Sequence, residues 1–210
     1  MKATKREFVI NDLMVEHFIE YEDNVISLEE IEDTGRSRLD FKVVSDKNLV
    51  IKNVDKKNTQ MQFFEASSKK SMFKRVDHIV FEYLEDDRWK LHLIEMKTGI
   101  FDDKWIEIKG KFRASYLLAQ GLAAMLEMNI VETCIYTTYE EVHLTPSATM
   151  PSGRRLHLGE KLIKPKDEWE GGKFALNFGV RMKFLHVPIQ MRRNEEGILT
   201  GEWLEETVER

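Results

Sequence analysis

Cysteine is almost absent: Cys134 stands alone among 210 residues. A single thiol excludes an intramolecular disulfide and any cluster built from several cysteines. Thiol catalysis is disfavoured too, because Cys134 lies inside the apolar run VETCIYTTY, where a small buried thiol is the ordinary case. No apolar run approaches the ~20 residues a membrane helix needs, and MKATKREF contains no apolar signal region. A cytoplasmic chain with no membrane association is therefore expected. Internal repeats, low-complexity tracts and glycine loops of the kind that cradle phosphates are also missing.

What is present suits one domain with elaborations over residues 1–210, since 42% of the residues are hydrophobic and can fill a sizeable core. The net charge of −5 speaks against a generic polyanion binder, but the charge is blocked along the chain. Residues 41–75 hold 9 basic and 3 acidic side chains, and residues 151–193 hold 10 and 4. Two basic segments thus flank an acidic middle, and a phosphate backbone would be drawn to them if they fold to one side of a site.

Between them lies RVDHIVFEYLEDDRWKLHLIEMKTG, residues 75–99, two apolar-rich runs joined by a charged turn. Val, Ile, Leu, Phe, Tyr and Trp in runs of this length predict a β-hairpin. A slip of one residue turns every side chain over, so the register can be chosen from the letters. Pairing residues whose numbers sum to 172 sets Tyr83 opposite Trp89, Phe81 opposite Leu91, Ile79 opposite Leu93 and Asp77 opposite Glu95 on one face. The other face then sets Glu82 opposite Lys90, an opposite-charge pair worth roughly 0.2–1 kcal/mol. An apolar face thereby ends in two adjacent carboxylates, with Lys97 following on the same side. Such a pair repels unless a proton, a basic side chain or a metal lies between. Oxygen ligands of this kind suit Mg²⁺, with Mn²⁺ as the alternative.

These residues resemble the PD-(D/E)xK nuclease superfamily, the restriction-endonuclease-like proteins. Asp77 matches the first acidic residue, Glu95 and Lys97 match the (D/E)xK, and Met96 falls where a backbone carbonyl often adds a metal ligand. Val76 stands where the nominal proline would be. The resemblance covers residues 40–140. It implies a metal-dependent nuclease in which Asp77, Glu95 and the Met96 carbonyl hold Mg²⁺ while Lys97 positions the attacking water. DNA is the implied substrate, with RNA left open, and a homodimer would suit an enzyme that cuts both strands. The lone cysteine argues against the branch that carries an iron–sulfur cluster. A non-catalytic nucleic-acid- or protein-binding module on the same fold is the alternative.

The rest of the chain is read around that core. An amphipathic helix is expected from Lys5 to Tyr21, with Glu16 and Glu20 one turn apart as the kind of acidic residue the family draws from such a helix. Ser27 with Glu30 reads as a capping box for a second short helix closed by Gly35, which makes residues 1–39 a helical segment. FKVV, NLVIKNV and MQFFEA are expected to form an antiparallel meander leading into the hairpin, and SSKKSMFKR a basic loop. Lys69, Lys70, Lys74 and Arg75 in that loop are candidate phosphate contacts. A crossover helix from Lys104 to Met128 carries an apolar stripe of Trp105, Ile108, Phe112, Ala119, Leu122 and Leu126. Lys109, Arg113, Tyr116 and Gln120 form another face, and the resemblance makes Arg113 and Gln120 candidate nucleic-acid contacts. Tyr116 precedes Gln120, which departs from the order in RecB-like members. Val131 to Tyr139 reads as a strand rejoining the sheet. Residues 141–210 are expected to be a β-rich elaboration with a loop at LTPSATMPSGRR, a break at Gly171-Gly172, and an edge or bent strand at Pro188, ending in an acidic helix or tail. His78 and His92, opposite the carboxylates, are expected to partner packed groups. The expected class is α/β, with a restriction-endonuclease-like core of mixed sheet and flanking helices.

Overall fold

The hairpin register follows from what each face buries. Ile79, Phe81, Leu91 and Leu93 are fully buried, and each such side chain contributes about 1.5–3 kcal/mol against an exposed position. No single cross-strand charge pair competes with that. A computed structural model describes residues 4–32, 35–57, 72–146 and 164–204, and pairs the hairpin as Ile79 with Leu93, Phe81 with Leu91 and Tyr83 with Trp89.

In chain order the elements are α1 (Lys5–Phe8), a π-helical turn over Val9–Leu13, β1 (Glu20–Glu22), β2 (Val25–Glu32), β3 (Gly35–Lys42), β4 (Asn48–Ile51), β5 (His78–Tyr83), β6 (Arg88–Glu95) and β7 (Gly99–Phe101). There follow α2 (Asp102–Met125), β8 (Asn129–Tyr139), β9 (Glu141–His143), α3 (Pro165–Glu170), β10 (Lys173–Asn177), β11 (Arg181–Gln190), β12 (Arg192–Arg193) and β13 (Leu199–Leu204). A seven-stranded sheet has the order β1-β4-β5-β6-β8-β11-β10, and a four-stranded sheet the order β12-β13-β3-β2. β7 and β9 pair separately. The class is mixed α/β, mostly sheet. Among the described residues no helix is long and apolar enough to cross a membrane.

β6 and β8 are parallel, joined by α2 as the crossover that a parallel pair requires. The buried side of α2, from Trp105 through Ile108, Phe112 and Ala119 to Leu122, packs with Ile79, Phe81, Leu91 and Leu93 in one core. On the opposite face of the large sheet, Val80, Ile94, Tyr136 and Ile189 meet Ile26, Leu28, Leu39 and Phe41 of the small sheet. The large sheet is therefore covered on both sides.

Four expectations are corrected. The helix expected over Lys5 to Tyr21 ends early: Met14 is extended, His17 has φ 58°, and Tyr21 belongs to a strand. Val9, Ile10, Asn11 and Asp12 are poor helix formers, being β-branched or able to bond their own backbone, while Val9, Ile10, Met14 and Phe18 still pack on the core. Ser27 and Glu30 lie in β2, not at a helix start, because Ile26 and Leu28 alternate into the core with period two. Gly35 opens β3 instead of closing a helix. Phe41 and Lys42 of FKVV end a strand of the small sheet, so of the expected meander only β4 leads directly to β5, and MQFFEA lies outside the described residues. Finally, the acidic C-terminal stretch contributes β13, which runs parallel to β3 and stacks Trp203 on Phe41 at 4.7 Å.

The edge reading of Pro188 holds in a local sense. β10 pairs with β11 only as far as Leu185, so at Pro188 the strand is bonded on the β8 side alone. The loop LTPSATMPSGRR falls mostly outside the described residues, beginning at 147.

Between the two sheets runs a buried polar chain. Glu82 accepts the Val44 and Ser45 N–H groups through Oε1 and meets His92 Nε2 at 3.0 Å, and His92 Nδ1 meets the Tyr136 hydroxyl at 2.9 Å. Glu82 is only 1% exposed, so removing its carboxylate takes the partner from buried His92 and from two partly buried backbone N–H groups. Glu82→Leu should cost about 3–5 kcal/mol of unfolding free energy, measured by urea denaturation.

Candidate active site at the open end of the hairpin

Asp77 immediately precedes β5 and Glu95 closes β6, 2% and 0% exposed respectively. One Asp77 oxygen, Oδ2, accepts the Met96 N–H, which ties the carboxylate across the strand pair. Asp77 Oδ1 and the Glu95 carboxylate share a lysine. Lys111 Nζ of α2 stands 2.7 Å from Glu95 Oε1 and 3.8 Å from Asp77 Oδ1. Lys97 Nζ is 2.8 Å from the same Glu95 oxygen and donates to the Met96 carbonyl at 2.7 Å.

Two hydrogen bonds from the backbone frame these side chains. The Lys97 N–H donates to Thr138 Oγ1 of β8, and the Val76 N–H donates to Ser115 Oγ of α2. Ser115 and Lys111 are four residues apart and share one helix face, so the bond that seats the helix also aims Lys111 at the carboxylates.

Burial raises the Asp77 pKa well above the usual carboxylate range, and the neighbouring Glu95 adds to this while Lys97 and Lys111 oppose it. For Lys97, burial alone would lower the pKa; the Glu95 and Asp77 carboxylates outweigh it and hold the ammonium above its ordinary value. Lys111 is raised for the same balance of reasons. A third carboxylate belongs to the cluster's field: Glu30 of β2 is raised to about 7, by burial first, with Glu32 and Glu95 adding and Lys97 opposing.

No protein-family model matches the chain, and neither a curated protein nor a solved structure does. Function has to be judged from the site itself.

Asp77, Glu95, Met96 and Lys97 come together as the spacing implied. The other candidates do not join them. Arg75 is 2% exposed, so its guanidinium is not a surface phosphate contact. Lys74 is exposed and stands 3.9 Å from Glu107. Arg113 and Gln120 share a helix face with Lys109 and Tyr116, which contact Glu168 of α3 and Phe178 and Phe184 of the β10–β11 hairpin. At 3.6 residues per turn that face lies about 140–200° round α2 from Lys111. Glu16 is exposed and Glu20 pairs with Lys52, while Lys69 and Lys70 lie outside the described residues. His78 and His92 are buried on the far face, as expected. Burial pushes the Cys134 thiol up to about 12, which removes it as a nucleophile.

Three residues were missed, and each left a signal. Lys111 and Ser115 interrupt the buried stripe of α2 at core spacing, between Ile108 and Ala119. Glu30 continues the Ile26–Leu28 face of β2 by one more step of two.

A divalent ion fits the donor set in kind. Asp77 Oδ1, the Glu95 carboxylate and the Met96 carbonyl are hard oxygen donors, and Mg²⁺ commonly takes only one or two carboxylates with water completing its shell. Among the described residues no group of three or more His, Cys, Asp or Glu side chains gathers as a metal site, so the oxygen donors here are two carboxylates and a backbone carbonyl.

The raised Glu30 pKa gives a pH signature. Between 4.5, its ordinary value, and about 7 the folded chain holds a proton that the unfolded chain has released. Stability from this group is thus fully present below 4.5 and is lost as pH rises through about 7. Glu30→Gln should flatten that fall, read from urea midpoints of the metal-free protein at pH 5 and pH 7.5.

Proposed function

We propose that this chain is a Mg²⁺- or Mn²⁺-dependent nuclease hydrolysing phosphodiester bonds, with DNA the favoured substrate, on a restriction-endonuclease-like core. The observation that carries this is the meeting of Asp77, Glu95 and Lys97 in one buried cluster at the open end of a hairpin, beside a crossover helix and a parallel strand. Asp77, Glu95 and the Met96 carbonyl would hold the metal. When bound there, such an ion supplies polarisation of a phosphoryl oxygen and a more acidic water.

The chain's own residues account for the remaining work. Lys97 stays protonated because its carboxylate neighbours hold its pKa high, so it serves as a fixed positive charge that orients the attacking water and offsets charge building on the phosphate. Its backbone is bonded to Thr138, which keeps that charge in place as the substrate changes shape. Asp77, tied to the Met96 N–H, holds the ligand set together across two strands.

A second reading, a non-catalytic nucleic-acid- or protein-binding module, is favoured by one feature: the two carboxylates are already neutralised by two lysines.

The decisive measurement is a time course on linear, nicked and single-stranded DNA and on RNA, with Mg²⁺ or Mn²⁺ and a chelator control. Asp77→Ala should lose both calorimetric metal binding and cleavage. Lys97→Ala should retain metal binding while cleavage falls about 10²–10³-fold, the usual loss for a transition-state donor. Cutting that persists unchanged in both variants would sink the assignment, and a wild type that binds DNA in a salt-sensitive way without cutting would favour the module.

A further inference from the structure

We propose that Lys111 is the built-in counter-ion of the Asp77–Glu95 pair, its ammonium occupying the place between the carboxylates that a divalent cation would take, so that metal binding exchanges one cation for another. This rests on Asp77 and Glu95 being metal ligands. The two lysines of the cluster are not equivalent. Lys97 Nζ sits to one side, on Glu95 Oε1 and the Met96 carbonyl. Lys111 Nζ is the ammonium that contacts both carboxylates, at 2.7 and 3.8 Å.

Lys111 is also able to leave. Its head group reaches the pair from a separate element on a flexible four-carbon stem, and its side chain is 17% exposed while the carboxylates are almost wholly buried. The Val76–Ser115 bond seats α2 independently of the lysine, so the helix has another anchor when the ammonium withdraws. One turn earlier on the same helix face lies the exposed carboxylate of Glu107, which already gathers Lys104 and Lys74 and is within reach of a third ammonium. A divalent cation and an ammonium cannot share the gap, since like charges within 4 Å repel strongly where water is scarce. Displaced but tethered, the ammonium remains at the mouth of the site, where a phosphate would meet it.

The test is calorimetric titration of Mn²⁺ and Mg²⁺ into the metal-free full chain, for wild type, Lys111→Met, Lys111→Arg and Lys166→Met. Lys111→Met should bind Mn²⁺ at least about tenfold more tightly than wild type, the size of an ordinary coupling between two sites. Lys111→Arg keeps the charge and should show no such gain. Lys166→Met removes an equal charge from α3, away from the cluster, and should match wild type. Thermal melts provide a second readout if the metal-free variant is marginally folded: Mn²⁺ should raise the Lys111→Met midpoint more than the wild-type midpoint. Equal or weaker affinity in Lys111→Met, with a melt no more metal-dependent than wild type, overturns the proposal and makes Lys111 a structural partner. Binding by Lys111→Met but not by wild type would uphold the exchange while removing the metal-dependent enzyme. Binding by neither would remove the ligand assignment and the exchange together.

Discussion

Side-chain alternation along β5 and β6 is the constraint on which the rest depends. With the register fixed by four buried apolar side chains, the odd-numbered positions face α2 and the even-numbered positions face the small sheet. Asp77, Glu95 and Lys97 fall on the odd side as a geometric consequence. A slip of one residue would carry them to the other layer and leave α2 packed over Val80, His92 and Ile94. Stability and chemistry are therefore set by the same parity, and the apolar face holds the acidic end in place.

The two faces of this hairpin handle buried charge differently. On the even face Glu82 receives two backbone N–H groups of the Val44–Ser45 segment and meets His92 of β6, so its carboxylate is held by hydrogen-bonding partners fixed in the structure. On the odd face Asp77 and Glu95 are met by the ammonium groups of Lys97 and Lys111. Fixed dipoles suit a structural acid, because nothing about them needs to change. Lysine ammonium groups on long stems are a different solution, a point charge brought to the acids from β8-bonded backbone on one side and from α2 on the other. The raised Asp77 and Glu30 pKa values have burial as their first cause, which the nearby lysines offset only in part.

Much of this was legible in the letters, for reasons of period. The hairpin register, the α2 crossover and the β8 strand rest on long, strongly patterned segments, and their positions follow the sequence closely. The N-terminal third was misread because its apolar spacing at 9, 13, 14 and 18 fits a helix, whereas its backbone preferences do not. Tertiary packing then uses those side chains from a loop. Ser27 and Glu30 match a capping box by spacing alone, but Ile26 and Leu28 carry a period of two, and burial against Phe41 and Leu39 outweighs a cap. On α2 the exposed-looking face with Arg113 and Gln120 drew notice because it is polar, while Lys111 was hidden inside a stripe assumed to be wholly apolar. The polar residue that interrupts a buried stripe is the more informative one, since burial of a charge without a partner is too costly to persist.

That criterion unifies the three elements that meet at the site. β2 runs Ile26, Leu28, Glu30; β6 runs Leu91, Leu93, Glu95; and β5, read backwards, runs Phe81, Ile79, Asp77. In each, an apolar face on alternate residues ends in a carboxylate, and the electrostatics couple the three ends. An acid at one strand end is an ordinary solubilising residue. Asp77 and Glu95 are buried as neighbours, and the partly buried Glu30 from the other sheet lies within their electrostatic reach. Folding alone gains nothing from that placement, because apolar residues there would pack without a counter-charge. In this structure the ammonium groups of Lys97 and Lys111 supply the positive charge that offsets the buried Asp77 and Glu95 carboxylates.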